Sequence, residues 1–369
     1  MKKKILFFHF DLGNGGAEKV LVNLLKCLDY QKYDVTLFLL FKYGVNLPSL
    51  PPQVRLQYLF NRPPFRGITH LLKVLSPRFL HKLLIREKYD VEIAYIEGSP
   101  TRIVGGCPYK DSKLYAWVHI QAEGNFFKTY RSLNEAKQIY WRFNKILFVS
   151  EYAKLAFKEK TGWTYLPLGV CHNVIDVDEI KTKSQDNINV LLSPSKLNLC
   201  SVGRLTEQKG YVRLMHVLGN LKERSNLDWR LYILGQGEQK QLIESTIMKY
   251  GLQENVHLLG YDTNPYKYVS KMDLFICSSY KEGYSTAVTE SLVVGTPVIT
   301  TDCSGMREII GDSKAGIIVE NSDEGLKVIL EDLLNGRIDV KQLKVNAVKR
   351  SSYFSQSNIK EFEDVINEA

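Results

Sequence analysis

The sequence predicts an α/β fold of two domains, each a Rossmann-like, doubly wound parallel sheet. Three observations predict it. Short, near-continuous apolar runs alternate with helix-like stretches, as expected of parallel strands buried on both faces. The alternation runs through twice, on either side of residues 169–195, where periodicity is lost and Asn173, Asp176, Asp178, Ser184, Asp186, Ser193 and Pro194 gather. At 369 residues the chain is too long for one ordinary core and suits two.

In the first half, residues 4–9, 34–40, 90–96, 114–119 and 146–149 read as strands. Residues 17–28, 68–87, 133–141 and 152–160 read as helical, with Pro77 dividing the second of these into two short helices. In the second half the strands are 197–202, 229–234, 255–258, 273–277, 297–300 and 316–319. Helices follow at 211–224, 238–250 and 286–294, with several short ones toward the end. Strand-helix alternation implies right-handed crossovers and an open parallel sheet in each half. Residues 169–195 read as the linker, which places a first domain at 1–172 and a second at 173–354.

Composition narrows the function classes. Apolar residues make up 44% and charged residues 24%, ordinary values for a globular protein. Apolar runs such as Lys4-Ile5-Leu6-Phe7-Phe8 fall far short of the ~20 residues of a membrane span. The basic start Met1-Lys2-Lys3-Lys4 leads into an apolar stretch broken by His9 and Asp11, a first strand rather than an export signal. The six cysteines (Cys27, Cys107, Cys171, Cys200, Cys277, Cys303) are scattered, with no pairing at metal-ligand spacing. The expected compartment is the cytoplasm. Net charge is +9, yet no arginine-rich tail or RNA-binding signature stands out, so nucleic acid is not the expected partner. The excess is local: Arg55, Arg62, Arg66, Lys73, Arg78, Lys82, Arg86 and Lys88 stand against the single acid Glu87.

The chemistry concentrates at strand-to-helix turns. Glu282-Gly283-Tyr284-Ser285-Thr286-Ala287-Val288-Thr289-Glu290 places two carboxylates with seven residues between them, behind an apolar strand and ahead of a helix. A helix start offers unpaired N–H groups and the positive end of the dipole, so this is a place for an anion with hydroxyls around it: a diphosphate attached to sugars. The plain alternative is an acidic helix surface. Gly203-Arg204-Leu205-Thr206-Glu207-Gln208-Lys209-Gly210 follows the second half's first strand. Its two cations can clamp a diphosphate, Arg204 through its fork and Lys209 as a point charge; read alone, they are surface charges on a loop. Gly13-Asn14-Gly15-Gly16-Ala17-Glu18 fails as a dinucleotide fingerprint because Glu18 stands where a glycine is needed. It reads equally as a ligand-approaching loop and as a tight turn with Glu18 complementing its own helix. His119 ends a strand, where such a residue is either structural or aimed into a cleft. Gly235-Gln236-Gly237-Glu238 and Leu259-Gly260-Tyr261 follow two more strands. Asp176-Val177-Asp178 has the look of a metal-binding pair but lies in the linker.

These motifs resemble those of retaining glycosyltransferases of the large bacterial family 4, the glycosyl transferases group 1, which have the GT-B fold. E-x7-E matches at Glu282 and Glu290, and G-R-x-x-x-x-K-G at Gly203, Arg204, Lys209 and Gly210. The resemblance covers most of the chain and is strongest over 199–316. It implies two domains facing a cleft, with a C-terminal helix at about 355–369 crossing back onto the first. It implies that Arg204 and Lys209, with N–H groups after Gly283, meet a departing diphosphate. Glu282 then holds the donor sugar with His119 near it, Glu290 binds the ribose, and Gly15, Gly16, Gly203, Gly235, Tyr261, Gly283, Tyr284, Ser285 and Thr286 line the donor site. The catalytic set is His119, Arg204, Lys209 and Glu282. No metal or other cofactor is expected. Partners are a nucleotide sugar, a UDP-sugar first, and a glycan or polyprenyl-linked glycan of bacterial polysaccharide or cell-envelope synthesis. Tyr284 replaces a common phenylalanine, and Ser285-Thr286 add hydroxyls, which leaves the donor open. Two other readings stand beside it: a nucleotide-sugar 2-epimerase of the same fold, and a non-catalytic membrane or partner-binding protein.

The basic stretch is read apart. Residues 65–88 interleave apolar side chains with cations. They form either two ordinary helices packed on a sheet or a peripheral contact with an anionic membrane through Arg62, Arg66, Lys73, Arg78, Lys82 and Arg86.

Overall fold

Buried apolar runs form the strands, and amphipathic stretches form the helices that cover them. The computed structural model describes residues 1–13, 15–65, 67–119, 126–190, 192–222, 225–355 and 357–368. The chain divides into one unit of Met1–Asp176 with Ser357–Ala369 and a second of Val177–Gln356.

In the first unit the strands are β1 (Lys3–His9), β2 (Tyr33–Phe41), β3 (Arg55–Phe60), β4 (Val91–Ala94), β5 (Lys113–Val118), β6 (Lys145–Phe148) and β7 (Leu168–Val170). The helices are α1 (Gly16–Cys27), α2 (Ile68–Val74), α3 (Pro77–Leu84), α4 (Ser99–Val104), α5 (Leu133–Tyr140), α6 (Glu151–Thr161) and, from the chain end, α15 (Ser357–Asn367). In the second unit α7 (Val177–Lys183) precedes β8 (Leu197–Val202), α8 (Tyr211–Leu221), β9 (Trp229–Leu234), α9 (Lys240–Lys249), β10 (Val256–Gly260) and α10 (Tyr266–Val269). Then come β11 (Leu274–Cys277), α11 (Thr286–Val293), β12 (Val298–Thr301), α12 (Met306–Ile310), β13 (Gly316–Val319), α13 (Asp323–Leu334) and α14 (Val340–Ser351).

The sheet orders are β3-β2-β1-β4-β5-β6-β7 and β10-β9-β8-β11-β12-β13, parallel at every pairing. In each sheet the winding reverses beside the first strand, between β1 and β4 and between β8 and β11. A crevice opens at the carboxyl ends of strands at such a reversal, and ligands bind there. The loops after β8 and β11 carry Arg204, Lys209 and Glu282, so topology brings the two motifs of the second half to one place.

Each unit has its own core. In the first, Leu6, Phe8, Ala116 and Phe148 from the sheet meet Leu80, Tyr140 and Phe157 from the helices and Trp163 from the loop after α6. In the second, Leu199, Leu231 and Ile276 meet Leu214, Leu218, Ile243 and Leu330. Serines cap the helices: Ser132, Ser150 and Ser322 each accept from the N–H three residues on. Pro77 opens α3 behind the Ser76 cap, which is where proline costs a helix nothing. The helix α15 lies on the first unit: Phe362 is 6.0 Å from Phe7 and 5.6 Å from Trp117, and Lys3 Nζ donates to the Ile366 carbonyl at 3.1 Å.

Four elements depart from the sequence reading. The edge strand β3 alternates Arg55, Gln57 and Leu59 with Leu56, Tyr58 and Phe60, which breaks the apolar run that marks a buried strand. β7 has only three residues, and α4 is a buried turn of six. Residues 169–195 are not a bare linker, for β7 ends there and α7 buries Val177 and Ile180 against the second unit.

Candidate functional site

The site of the second unit is built on two loops that lace together. Tyr280 N–H donates to the Gln208 carbonyl at 2.8 Å, Gln208 Nε2 to the Lys281 carbonyl at 2.9 Å, and Ser278 Oγ to the Lys209 carbonyl at 3.0 Å. Gly210 makes that approach possible. Its φ is +65°, and a Cβ there would lie 2.1 Å from the Ser278 carbonyl oxygen. Gly235 holds a similar place against the Gly203 carbonyl, with φ +149° and 1.9 Å for the added carbon. Its part is therefore to let the β9 loop close on the β8 loop.

Across this lacing Lys209 Nζ donates to Glu282 Oε1 at 2.7 Å, and Ser279 Oγ donates to the same oxygen at 2.6 Å. Glu282 is 9% exposed. Burial alone would lower the Lys209 amine, but the Glu282 charge outweighs it and holds the amine above the usual lysine range. Arg204 stands exposed and depresses that same amine through its charge, so both cations face one region. Among the described residues nothing hydrogen-bonds the Arg204 guanidinium. The Lys209 stem lies 3.4 Å from where a Cβ on Gly203 would sit.

The helix α11 starts directly behind. Its cap Ser285 accepts from Val288 N–H, which leaves the first N–H groups of the helix to other partners. Glu290 and Tyr284 are buried. Ser304 Oγ donates to the Gly283 carbonyl at 2.8 Å, and Gly305, at φ +78°, leaves room for Tyr284. Thr286 is half-buried at the helix start, while Tyr261 is 51% exposed beyond β10.

Sequence reasoning missed the residue that fastens this loop. Arg213, on α8 and 3% exposed, donates to the Ser278 carbonyl at 2.9 and 2.6 Å, to Ser279 at 2.7 Å and to Asn321 Oδ1 at 2.9 Å. Its guanidinium lies 3.8 Å from the centre of the Tyr280 ring. In sequence it is one cation on an amphipathic helix, and nothing local marks it.

The first unit has a cluster of its own at the reversal beside β1. His9 ends β1, Tyr95 follows β4 and His119 follows β5, with ring centres 6.5 Å and 5.0 Å apart in turn. His9 Nδ1 bonds the Asp11 carbonyl at 2.7 Å, and His119 N–H donates to Glu97 at 3.0 Å. Burial lowers His9 to about 4; burial and then the His9 charge lower His119 to about 3, so both are neutral at ordinary pH. Burial first, with Glu18 adding, raises the Glu97 carboxyl. Gly15 and Gly16 open α1, and the Glu18 carboxylate lies over Gly15, 2.1 Å from where its Cβ would be. Of the two readings of this turn, the tight self-complemented one accounts for that contact. Asn14 lies outside the described residues.

The cations of the basic stretch separate. Arg62 lies 4.2 Å over the Phe65 ring and Lys73 donates to the Lys128 carbonyl at 3.2 Å, so both are tied to the protein's own groups. Arg66 lies outside the described residues. Arg78 and Lys82 on α3, and Arg86 just past it, are exposed. Beside them stand Phe79 and Leu83 of α3 and Leu71 and Val74 of α2, 49% to 71% exposed.

One group among the described residues has metal-ligand chemistry: His81, Glu92 and Cys107, all buried, with donor atoms within 4.8 Å of one another. The separations of 2.7 Å (His81 Nε2 to Glu92) and 3.2 Å (Cys107 Sγ to Glu92) are hydrogen-bond lengths. Burial and then the Glu92 charge push the Cys107 thiol up to about 12, away from the thiolate a metal takes. The trio reads as a structural network under α3.

Comparison with known proteins adds three findings. Residues 183–350 match the family model described as glycosyl transferases group 1. Over 350 residues, 89% of this chain and 91% of the relative, the sequence is 29% identical to the N-acetylgalactosamine-N,N'-diacetylbacillosaminyl-diphospho-undecaprenol 4-alpha-N-acetylgalactosaminyltransferase of Campylobacter jejuni. A second C. jejuni enzyme, an alpha-1,4-N-acetyl-D-galactosaminyltransferase named for a GalNAc-GalNAc-diNAcBac-PP-undecaprenol, is 25% identical over 365 residues, 97% of this chain and 96% of its own. The fold is shared with Anabaena HepE, solved with UDP and glucose (TM-score 0.73, 17% identity, 98% of each chain). It is shared also with the sucrose-phosphate synthase of Thermosynechococcus elongatus (TM-score 0.77, 15% identity, 99% of this chain and 98% of that one).

Proposed function

We propose that the chain is a glycosyltransferase of group 1 that transfers a sugar, with retained configuration and without a metal ion, from a UDP-sugar to a polyprenyl-linked glycan of the bacterial envelope. The observation that carries the reading is the meeting of Lys209 and Glu282 at 2.7 Å beside the exposed Arg204. A retaining transfer from a nucleotide sugar turns on departure of the diphosphate. Two cations fixed before the reaction stabilise the charge that grows there, at little reorganisation cost. Glu282 supplies a carboxylate for sugar hydroxyls, and Glu290 one for the ribose. The acceptor class follows the printed names of the two Campylobacter relatives, both of which carry undecaprenol.

Among the described residues no side chain stands out as a nucleophile, and in the proposed transfer attack comes on the face the diphosphate leaves, within an ion pair. His119, held neutral by burial, is a hydrogen-bonding group rather than an acid. The exposed apolar and cationic face of α2 and α3 gives a lipid-linked acceptor's enzyme a peripheral seat on an anionic bilayer.

The test is incubation of the purified protein with UDP-, GDP- and other activated sugars, with and without EDTA. Thermal stabilisation by one nucleotide family, with EDTA-insensitive donor hydrolysis that disappears in Glu282→Ala, is the expected result. A protein that no nucleotide sugar stabilises ends the reading, and an isomeric nucleotide sugar formed without acceptor replaces it with an epimerase.

A further inference from the structure

Glu282 has two carboxylate oxygens, and the hydrogen bonds seen among the described residues all reach one of them. Lys209 Nζ and Ser279 Oγ both donate to Oε1, at 2.7 and 2.6 Å. Among the described residues no hydrogen bond reaches Oε2. We propose that Ser279 is a positioning residue for the transfer: it fixes the rotation of the Glu282 carboxylate so that Oε1 stays with Lys209 and Oε2 is presented to a hydroxyl of the donor sugar. The inference rests on the donor-binding reading given above.

Three observations make Ser279 suited to the task. Its side chain is 1% exposed. The direction of its hydroxyl proton is settled, because the Cys277 thiol donates to Ser279 Oγ at 3.5 Å and leaves the Ser279 proton for Glu282. Its backbone is anchored from three sides: the carbonyl accepts from Arg213 Nη2 at 2.7 Å, from Thr301 Oγ1 at 2.6 Å and from Cys303 Sγ at 3.1 Å. A hydroxyl so anchored cannot follow the carboxylate if it turns, so the carboxylate is held in place. Lys209 alone would not hold it, since an ammonium is a point charge that accepts either oxygen equally well.

The neighbouring Ser278 provides the control. It is equally buried, but its hydroxyl donates to the Lys209 carbonyl and does not touch Glu282. Removing either hydroxyl leaves a similar void, and only removal of Ser279 releases the carboxylate.

The experiment compares Ser279→Ala, Ser279→Thr and Ser278→Ala with the unaltered protein, using a UDP-sugar that the unaltered protein turns over. The readouts are donor kcat and KM, affinity for UDP alone, and melting temperature. For Ser279→Ala the expected result is a fall in kcat of roughly ten- to a hundredfold, the worth of a hydrogen bond to a charged group. UDP affinity should stay within about twofold, because UDP carries no sugar. Ser279→Thr should restore most of the lost kcat, and Ser278→Ala should lower the melting temperature while its kcat falls clearly less than that of Ser279→Ala. A folded Ser279→Ala protein with unaltered kcat overturns the proposal, as does an equal fall in kcat in Ser278→Ala. If the unaltered protein turns over no nucleotide sugar, the reading of function fails instead, and the two failures are separate.

Discussion

Lys209 and Glu282 meet at 2.7 Å although 73 residues separate them in sequence, and each is largely withdrawn from water. A pair so placed is costly to break from one side. Glu282→Ala would strand a buried ammonium, and Lys209→Ala a buried carboxylate. Each single change should destabilise the second unit by about 3 kcal/mol, while the double change should cost clearly less than the sum. Denaturant unfolding of the four proteins of the cycle measures this. Additive losses would show that the two groups do not interact in solution. Donor turnover should fall about 10²- to 10³-fold in either single variant.

The same pair sets an alkaline limit. The Lys209 amine is raised above its ordinary value, so the native state holds its proton more tightly than the unfolded chain does. That contribution is fully present below the ordinary lysine pKa of about 10.4 and is lost as pH rises through the raised native value. Glu282→Gln removes the charge that raises the amine. The variant should therefore lose less stability above about pH 10.4 than the unaltered protein does, as thermal melts at stepped pH would record.

Arg213 should be as important to the site as any residue it does not contain. Its fork spans the Ser278 and Ser279 carbonyls and stacks on Tyr280. Lysine cannot reproduce the fork or the stacking, so Arg213→Lys should lower stability by roughly 1–3 kcal/mol and reduce donor turnover through the loosened loop. Unfolding free energies and turnover taken on one preparation check both. A variant with native stability would mean that Asn321, Thr301 and Cys303 suffice to hold the loop.

How much of this was legible in sequence depends on whether the signal is local. The strands 197–202 and 229–234 show as apolar runs because parallel strands are buried on both faces, and they fall where the structure has β8 and β9. The division of 68–87 at Pro77 was equally local. Residues Arg204, Lys209 and Glu282 stood out because each follows a strand. Their partnership did not, because it depends on strand order, which puts β8 beside β11 although β9 and β10 lie between them in sequence. Arg213 carried no local mark. Lys73 and Arg62 were grouped with the other cations because charge is visible in sequence and direction is not: one points to the Lys128 carbonyl and the other lies on Phe65. Strand β3 was hidden because an edge strand alternates polar and apolar residues.

The first unit should weaken in mild acid. His9 and His119 sit near 4 and 3 in the folded state, against about 6.5 in an unfolded chain. Between those values the unfolded state binds protons that the native state refuses. Stability is therefore intact above about pH 6.5 and falls as pH drops, by about 1.4 kcal/mol per pH unit for each histidine until its native pKa is reached. Replacing His9 with glutamine should flatten the decline between pH 6.5 and 4 even if it lowers stability at pH 7. Melts of both proteins across that range give the slopes directly, and parallel slopes would show that His9 is not buried neutral.

The face of α2 and α3 should bind anionic bilayers in two separable ways. Arg78 and Lys82 of α3 stand four residues apart, and Phe79 and Leu83 stand beside them at the same spacing, so cations and apolar groups form adjacent exposed stripes, with Arg86 exposed just past the helix. Each cation near a negatively charged surface contributes about 1 kcal/mol. Replacing the three with glutamine should therefore weaken sedimentation with phosphatidylglycerol vesicles on the order of 100-fold, and added salt should mimic the loss. Replacing Phe79 and Leu83 with serine should weaken binding too, but salt should not reproduce that loss, because it comes from apolar burial. Phosphatidylcholine vesicles should bind the unaltered protein poorly. Equal binding to both lipids would leave only the apolar stripe at work, and no binding to either would make these two helices an ordinary solvated face.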